Sequence, residues 1–268
     1  MNITEHSGII LESRNAAITR VFADNSGVKD LNAELISEYL LLVYINDRLS
    51  GQIVCTPNHL PELVAGRLIT ENGIDAGDIL DIDICVLGHE ARVTVKEKIA
   101  DKLVKAEDIT PTCCTDNATK LFLDRDTDGL NPVTGGVIDR SVFPVILDRL
   151  NADTFLHSKT GSAHSCFLIY DNEIILEAED IGRHNAVDKA VGHLAVKGYD
   201  RSRAALFTTG RMPVDMVRKV IRAGIPVLIS KQQPTFESVE LSQKYDLTLI
   251  GNLRKDHLDV YNGLNRIR

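Results

Sequence analysis

Two short segments of this 268-residue chain place glycine and arginine side by side where a strand pattern gives way to a helical one. The first is Asp180-Ile181-Gly182-Arg183-His184-Asn185. Unpaired backbone N–H groups at a helix start favour an anion. Gly182 permits close backbone approach, and Arg183 adds a planar, permanently charged fork suited to phosphate. A plain capped helix also fits these residues, with Asp180 near the cap and His184 paired to Asp188 one turn on. The second segment, Thr208-Thr209-Gly210-Arg211-Met212-Pro213, repeats the grammar: strand end, hydroxyls, glycine, arginine, helix start. Two such turns on adjacent crossovers of one sheet converge at one edge, which favours an anion or nucleotide site over two unrelated caps. Ser230-Lys231-Gln232-Gln233-Pro234-Thr235 again follows a strand and precedes a helix, so Lys231 faces either the same cleft or solvent.

Two further segments carry groups with chemistry of their own. In Thr160-Gly161-Ser162-Ala163-His164-Ser165-Cys166, His164 sits among small residues, as a pocket-lining or as a structural histidine. His164 and Cys166 are zinc-ligand types, but neither CxxC nor HExxH spacing supports them, and no metal site is expected. In Pro111-Thr112-Cys113-Cys114-Thr115-Asp116, two thiols stand in a polar segment, where sulfur transfer or redox chemistry needs them. A disulfide between sequence neighbours is strained and reducible, so a structural bridge is not expected there. Cys55 and Cys85 lie in apolar runs and read as buried small hydrophobes. Five cysteines without a secretory signal indicate reduced thiols.

Composition sets the outer bounds. With 44% hydrophobic and 25% charged residues the chain has material for a substantial core. A net charge of −8 disfavours a global grip on nucleic acid while leaving room for a local basic pocket. The absence of tryptophan and the 5% aromatic content argue against a base-stacking surface. The start, MNITEHSGIILESRN, has no signal-peptide pattern, and no apolar stretch is long enough to span a membrane. A cytoplasmic protein is expected.

The elements that must position these groups fall into two parts. Residues 38–55 read as two strands around Asn46-Asp47, residues 59–71 as a helix and residues 79–97 as a hairpin turning at Gly88-His89: a ββαββ unit of the α+β class. Residues 105–136, poor in periodicity, read as a long loop with a short helical piece at 117–124. From about residue 138 helices and strands alternate: helix 142–150, strands 165–170 and 173–177, helix 184–196, strand 204–207, helix 214–223, strand 226–229, helix 235–245, strand 247–250. That alternation predicts an α/β domain with a largely parallel sheet covered on both faces. The expected boundary lies near residue 130: an α+β domain over 1–130 ending in the cysteine-bearing loop, then an α/β domain over 131–268.

Taken together, these segments resemble the FdhD family, formate dehydrogenase accessory proteins that carry sulfur to a molybdenum cofactor. The resemblance runs from about Glu38 to Ile267 and is strongest in residues 56–74 (TPNHLPELVAGRLITENGI), 160–164 (TGSAH), 179–192 (EDIGRHNAVDKAVG), 208–212 (TTGRM), 223–230 (AGIPVLIS), Pro234-Thr235, 248–254 (TLIGNLR) and Tyr261. It implies a three-layer C-terminal domain similar to the cytidine deaminase fold, without its zinc. It also implies a homodimer that takes persulfide sulfur from a cysteine desulfurase and passes it to bis-molybdopterin guanine dinucleotide before insertion into formate dehydrogenase. Carried onto this chain, Cys113 and Cys114 become the sulfur-bearing residues. Gly182, Arg183, His184, Asn185, Thr209, Gly210, Arg211, His164 and Ser230 become the residues that hold the guanine-nucleotide part of the cofactor. The family loop carries CxxC in a glycine-rich stretch, whereas this chain reads TPTCCTDN, with adjacent cysteines and no flanking glycines. That departure opens an alternative, a non-catalytic cofactor-binding chaperone. The family's Ser-x-Ser-Ala-Pro-Thr segment stands here as residues 230–235 (SKQQPT).

Overall fold

A computed structural model describes residues 1–6, 11–99, 129–152 and 156–268. Cys113, Cys114, the helical piece expected at 117–124 and most of the loop expected at 105–136 lie outside the described residues.

The first part is built around a five-stranded sheet. The strands are β1 (Asn2–Glu5), β4 (Tyr39–Ile45), β5 (Arg48–Cys55), β6 (Ile79–Ile84) and β7 (Glu90–Val95), in the spatial order β1-β6-β7-β4-β5. Asn46 and Asp47 both take positive φ, as a two-residue hairpin turn requires, so β4 and β5 pair antiparallel. Inward residues alternate along these strands: Leu41, Val43 and Ile45 on β4, Ile82 and Ile84 on β6, Ala91, Val93 and Val95 on β7. Helix α1 (Leu60–Thr70) covers them with Leu60, Leu63, Val64 and Leu68. The ββαββ expectation is thus met, but the sheet also gains β1, and a separate antiparallel ribbon forms from β2 (Ser13–Val21) and β3 (Val28–Ile36). Both faces of that ribbon are largely exposed, so it carries no core-facing alternation to read in sequence. Cys55 is fully buried as expected, and burial pushes its thiol up to about 12. Cys85 is only half-buried, because it follows the last strand residue and accepts the Glu90 N–H at the hairpin turn.

The second part is a three-layer unit. Its elements are α2 (Val142–Leu150), α3 (Leu156–Thr160), β8 (His164–Tyr170), β9 (Glu173–Asp180), α4 (Arg183–Lys197), β10 (Ala204–Thr208), α5 (Val214–Arg222), β11 (Val227–Ser230), α6 (Phe236–Lys244), β12 (Thr248–Gly251) and β13 (Asp259–Asn262). The strand order is β13-β12-β11-β10-β8-β9. Helices α4, α5 and α6 bury Val187, Met216 and Leu241 on one face, over Leu168, Leu206, Leu228 and Leu249. On the other face α2 packs Phe143 and Ile146 over Phe167, Phe207 and Ile229. Both faces are covered, as expected, but the sheet is mixed and not largely parallel. Only β10–β11 and β11–β12 pair parallel, while β8–β9, β8–β10 and β12–β13 pair antiparallel. The cause lies in the connection: Asp171-Asn172, both at positive φ, turn β8 directly into β9, and so short a link permits only antiparallel pairing.

Helix α1 joins the two parts by packing on α4 through glycines. A Cβ on Gly66 would overlap the Asp188 carbonyl oxygen, and a Cβ on Gly192 would overlap that of Glu62. The helix backbones therefore approach more closely than any side chain at those two positions would allow. Buried charges cross the same joint. Asp188 is fully buried and accepts from Lys219 Nζ at 2.8 and 2.9 Å and from Thr70 Oγ1 at 2.7 Å. Lys219 Nζ also reaches Glu71 Oε1 at 2.8 Å. Arg222 Nη1 donates to the Thr70 and Glu71 carbonyls at the end of α1, where a cation meets the negative end of the helix dipole.

Candidate functional site

The turn from β9 into α4 is held from below. Asp180, the last residue of β9, is completely buried and accepts four hydrogen bonds. Its donors are Gly182 N at 2.8 Å, Asn185 Nδ2 at 2.9 Å, Thr56 N at 3.0 Å and Lys189 Nζ at 2.7 Å. Lys189 is also completely buried and donates to Thr56 O, Glu179 O and Asn58 Oδ1 at 3.0, 2.9 and 2.5 Å. Ile181 N donates to Thr56 Oγ1, and Asn185 Nδ2 to Val54 O. The Asp180–Asn185 turn is therefore fastened onto Thr56-Pro57-Asn58 at the end of β5. A buried charge pair persists only when its remaining donors and acceptors are matched in this way. Gly182 has φ −101°, so a left-handed backbone is not what it supplies. A side chain there would press against Asn185 Nδ2, at 3.1 Å from the Cβ position.

The turn from β10 into α5 is laced to its neighbours at the same sheet edge. Thr208 Oγ1 accepts Gly210 N at 3.1 Å. Thr209 exchanges bonds with Ser165 on β8: Ser165 N donates to Thr209 Oγ1, and Thr209 N to Ser165 O, each at 3.0 Å. Ser230 at the end of β11 is buried; its hydroxyl donates to Gly210 O at 2.7 Å and accepts Gln232 N at 2.9 Å. Gly210 also faces Arg183: a Cβ on Gly210 would lie 3.0 Å from Arg183 Cβ. The two glycine–arginine turns thus touch, as their place on one sheet requires.

Of the residues singled out in sequence, the structure gathers Gly182, Arg183, His184, Asn185, His164, Thr209, Gly210 and Ser230 at one edge. Their roles differ. The Asn185 amide and the Ser230 hydroxyl are spent on internal bonds. Arg183 Nε is buried with no hydrogen-bond partner among the described residues, an arrangement costly enough to call for a partner. Arg211 is exposed. His184 does not pair with Asp188, which lies in the α1–α4 joint; its Nε2 stands 3.1 Å from Asp215 Oδ2 at the start of α5. Burial alone would raise the Asp215 carboxyl, but His184, with help from Met216 N and Arg183, outweighs it and holds the group at about 2. His164, opposite Asp180 in the β8–β9 register, is held below the usual histidine range by burial first and the Arg183 charge second. The catalytic candidates Cys113 and Cys114 lie outside the described residues.

Beside these turns opens a cavity of about 370 Å³. Its walls include His157, Ser162, His164, Thr209, Lys231 and Gln232, over Leu150 and Phe167. Lys231 is among the residues that line this cavity; Arg183 and Arg211 are not. Sequence reasoning did not find Thr56, Asn58, Lys189, Asp215 or Glu179. Lys189 alone left a usable signal, a charged residue between the apolar positions Val187, Ala190 and Val191 of one helix.

The comparisons with known proteins agree with this architecture. The FdhD/NarQ family model matches residues 36–268. A sulfur carrier protein FdhD of Listeria monocytogenes is 29% identical over 245 residues, covering 89% of this chain and 93% of that protein. The protein of the same name from Streptomyces coelicolor is 40% identical over 123 residues, 45% of this chain and 43% of its own. Among solved structures, a chain described as a formate dehydrogenase accessory protein from Desulfotalea psychrophila superposes with a TM-score of 0.77 at 26% identity, covering 96% of this chain and 100% of that one. With 233 consecutive residues inside the family model and the fold shared end to end, the chain belongs to the FdhD/NarQ family.

Proposed function

We propose that this protein is a sulfur carrier for formate dehydrogenase maturation. In this reading it accepts sulfane sulfur from a cysteine desulfurase and passes it to bis-molybdopterin guanine dinucleotide, which it holds as substrate. It acts in the cytoplasm as a homodimer. The observation that carries the binding half is the pair of glycine–arginine turns touching at one sheet edge, with Arg183 Nε buried there and without a hydrogen-bond partner among the described residues. Helix N-termini and guanidinium groups suit the pyrophosphate of a dinucleotide. The strand order β9-β8-β10-β11-β12, antiparallel then parallel, supports the deaminase-like reading of the domain.

The transfer half rests on family membership and on Cys113 and Cys114. A thiolate there attacks the terminal sulfur of the desulfurase persulfide; the donor's S–S bond breaks as a new one forms, and the donor leaves as a thiolate. One sulfur moves with no net oxidation. Incubation with desulfurase and cysteine, followed by intact mass, tests this: a gain of about 32 Da, one sulfur atom, is expected and should vanish in Cys113→Ala/Cys114→Ala. No gain in the unmodified protein would refute the transfer. The adjacency of the two cysteines favours a second reading, a chaperone that binds the cofactor without transferring sulfur. Its signature is full complementation of an accessory-protein-deficient strain by the double alanine variant.

A further inference from the structure

The apolar cluster beneath α2 is open along one side. A cavity of about 340 Å³ lies there, between α2 and the stretch from Leu253 to Ile267. Its apolar walls are Phe143, Pro144 and Leu147 on one side and Leu253, Leu258 and Val260 on the other. Arg140, Phe143, Pro144 and Leu147 follow helical spacing, so a single stripe of α2 and the turn before it presents the first wall. Leu147, Leu258 and Val260 pack against the buried cluster and are themselves only half-buried. Leu264, also on the cavity, is 65% exposed, and Val145 on α2 is 50% exposed. Apolar side chains grouped at the surface around a cavity mark an interaction surface, which scattered ones do not.

Cations rim those walls. Arg140, Arg254, Lys255 and His257 line the cavity against one acid, Asp256, and Asp256 Oδ1 already stands 2.9 Å from His257 Nδ1. The chain as a whole has the opposite balance, 38 acidic to 30 basic residues and a net charge of −8. The loop that carries three of the cations is held in place. Arg254 N donates to His257 O at 2.8 Å, and Arg254 Nη1 to the Lys231 and Leu253 carbonyls at 2.7 and 2.9 Å. Asn252, at positive φ, ties the base of the loop to Asp259 Oδ2 at 2.8 Å. These charges discriminate between occupants. A twofold contact between copies would set Arg140, Arg254 and Lys255 of one chain against the same residues of the other, and like charges so placed repel. A nucleic acid would meet apolar walls and the field of an acidic chain. A protein segment with both aliphatic and acidic side chains matches walls and rim together.

We propose that this groove docks an acidic segment of another protein, with aliphatic side chains in the cavity and carboxylates on Arg140, Arg254 and Lys255. Two probes test it on the full chain: a short fluorescein-labelled peptide of repeated Leu-Glu-Glu-Leu units, and the same peptide with Lys in place of Glu. Fluorescence anisotropy is expected to show binding of the acidic peptide alone, weakening as salt is raised. Arg140→Glu/Lys255→Glu, both at exposed positions, should weaken it at least about tenfold. Leu264→Asp should do the same, and circular dichroism should be unchanged in both variants. In the cell, photoreactive Leu264→benzoylphenylalanine is expected to crosslink to an acidic segment of a different protein, read by peptide mass spectrometry. That crosslink should disappear when Arg140→Glu/Lys255→Glu is added. Equal binding of the two peptides, binding of neither, or binding that Arg140→Glu/Lys255→Glu leaves unchanged overturns the docking site. A crosslink to a second copy of this chain, or no crosslink, overturns the assigned partner.

Discussion

At the scale of single residues, Arg183 and Arg211 look alike in sequence and differ in the structure. Arg183 is partly buried, its Nε without a hydrogen-bond partner among the described residues, while Arg211 is exposed. Replacing either by alanine is expected to weaken guanine-nucleotide binding, since a charge-assisted bond contributes about 1.5–3 kcal/mol, roughly 10–150-fold in affinity. The exposed Arg211 should fall at the low end. Titration calorimetry decides it, and unchanged affinity in both variants would show that the ligand sits elsewhere. The His184–Asp215 pair makes a prediction in pH. The Asp215 carboxyl lies at about 2, below its ordinary 3.8. A depressed carboxylate stabilises the fold above its unfolded value and loses that contribution as pH falls through its folded one. Unmodified protein should therefore be more stable than Asp215→Asn near pH 4, with the gap closing towards pH 2. Because the Asp215 side chain is 41% exposed, the gap should be small and should shrink with added salt. Denaturant midpoints across that window measure it, and a gap that widens on acidification would contradict the assignment.

At the scale of elements, the decisive contact is α1 on α4. Gly66 and Gly192 are each pressed against the backbone of the other helix, so a methyl group has nowhere to go. Gly66→Ala or Gly192→Ala is expected to lower stability by about 1–3 kcal/mol, the usual cost of overpacking, although alanine is the better helix former. Urea midpoints will show the loss, and stabilisation by either substitution would mean that the helices sit further apart. The element reading from sequence was accurate where an element is buried on one face or on both. Val142–Leu150 emerges with its predicted bounds, and every strand and helix expected from 165 to 250 is present within a few residues. It missed β1, β2 and β3, whose residues are largely exposed, the five-residue α3, in which only Leu156 is buried, and β13, a four-residue strand with no fully buried side chain. Pattern reading detects the side of an element that hides from water, and these elements scarcely have one.

At the scale of the whole molecule, two sheets with separate apolar clusters share one polar and helical joint. Asp180 and Lys189 bind Thr56 and Asn58, Asp188 and Lys219 bind Thr70 and Glu71, and α1 lies on α4. Opening that joint would part α1 from α4 and strip these buried charges of their bonds to Thr56, Asn58, Thr70 and Glu71, while the pairs Asp180–Lys189 and Asp188–Lys219 themselves would stay together. The two parts should therefore unfold together. Chemical denaturation followed by hydrogen exchange is expected to give one free energy for the most protected amides of β4 and of β10, as a single cooperative transition requires. Distinct values, with β4 opening first, would show two independently folding units.

The residues themselves determined a good deal. The α/β alternation, the ββαββ unit and the convergence of two glycine–arginine helix starts follow from local periodicity and from which residues can open a helix. Those signals are encoded within about ten positions of each residue. Pairing partners distant in the chain are not encoded that way. Nothing near Asp188 indicates that its carboxylate belongs to Lys219 and not to His184, because the choice depends on how α4 is rotated against α5. Nothing near Glu179 indicates that its carboxylate accepts the Leu156 and His157 N–H groups at the start of α3. Only the packed sheet settled which strands neighbour each other, the cavity beside Thr209 and the burial of Lys189, since each is a property of surfaces that meet after the chain has folded.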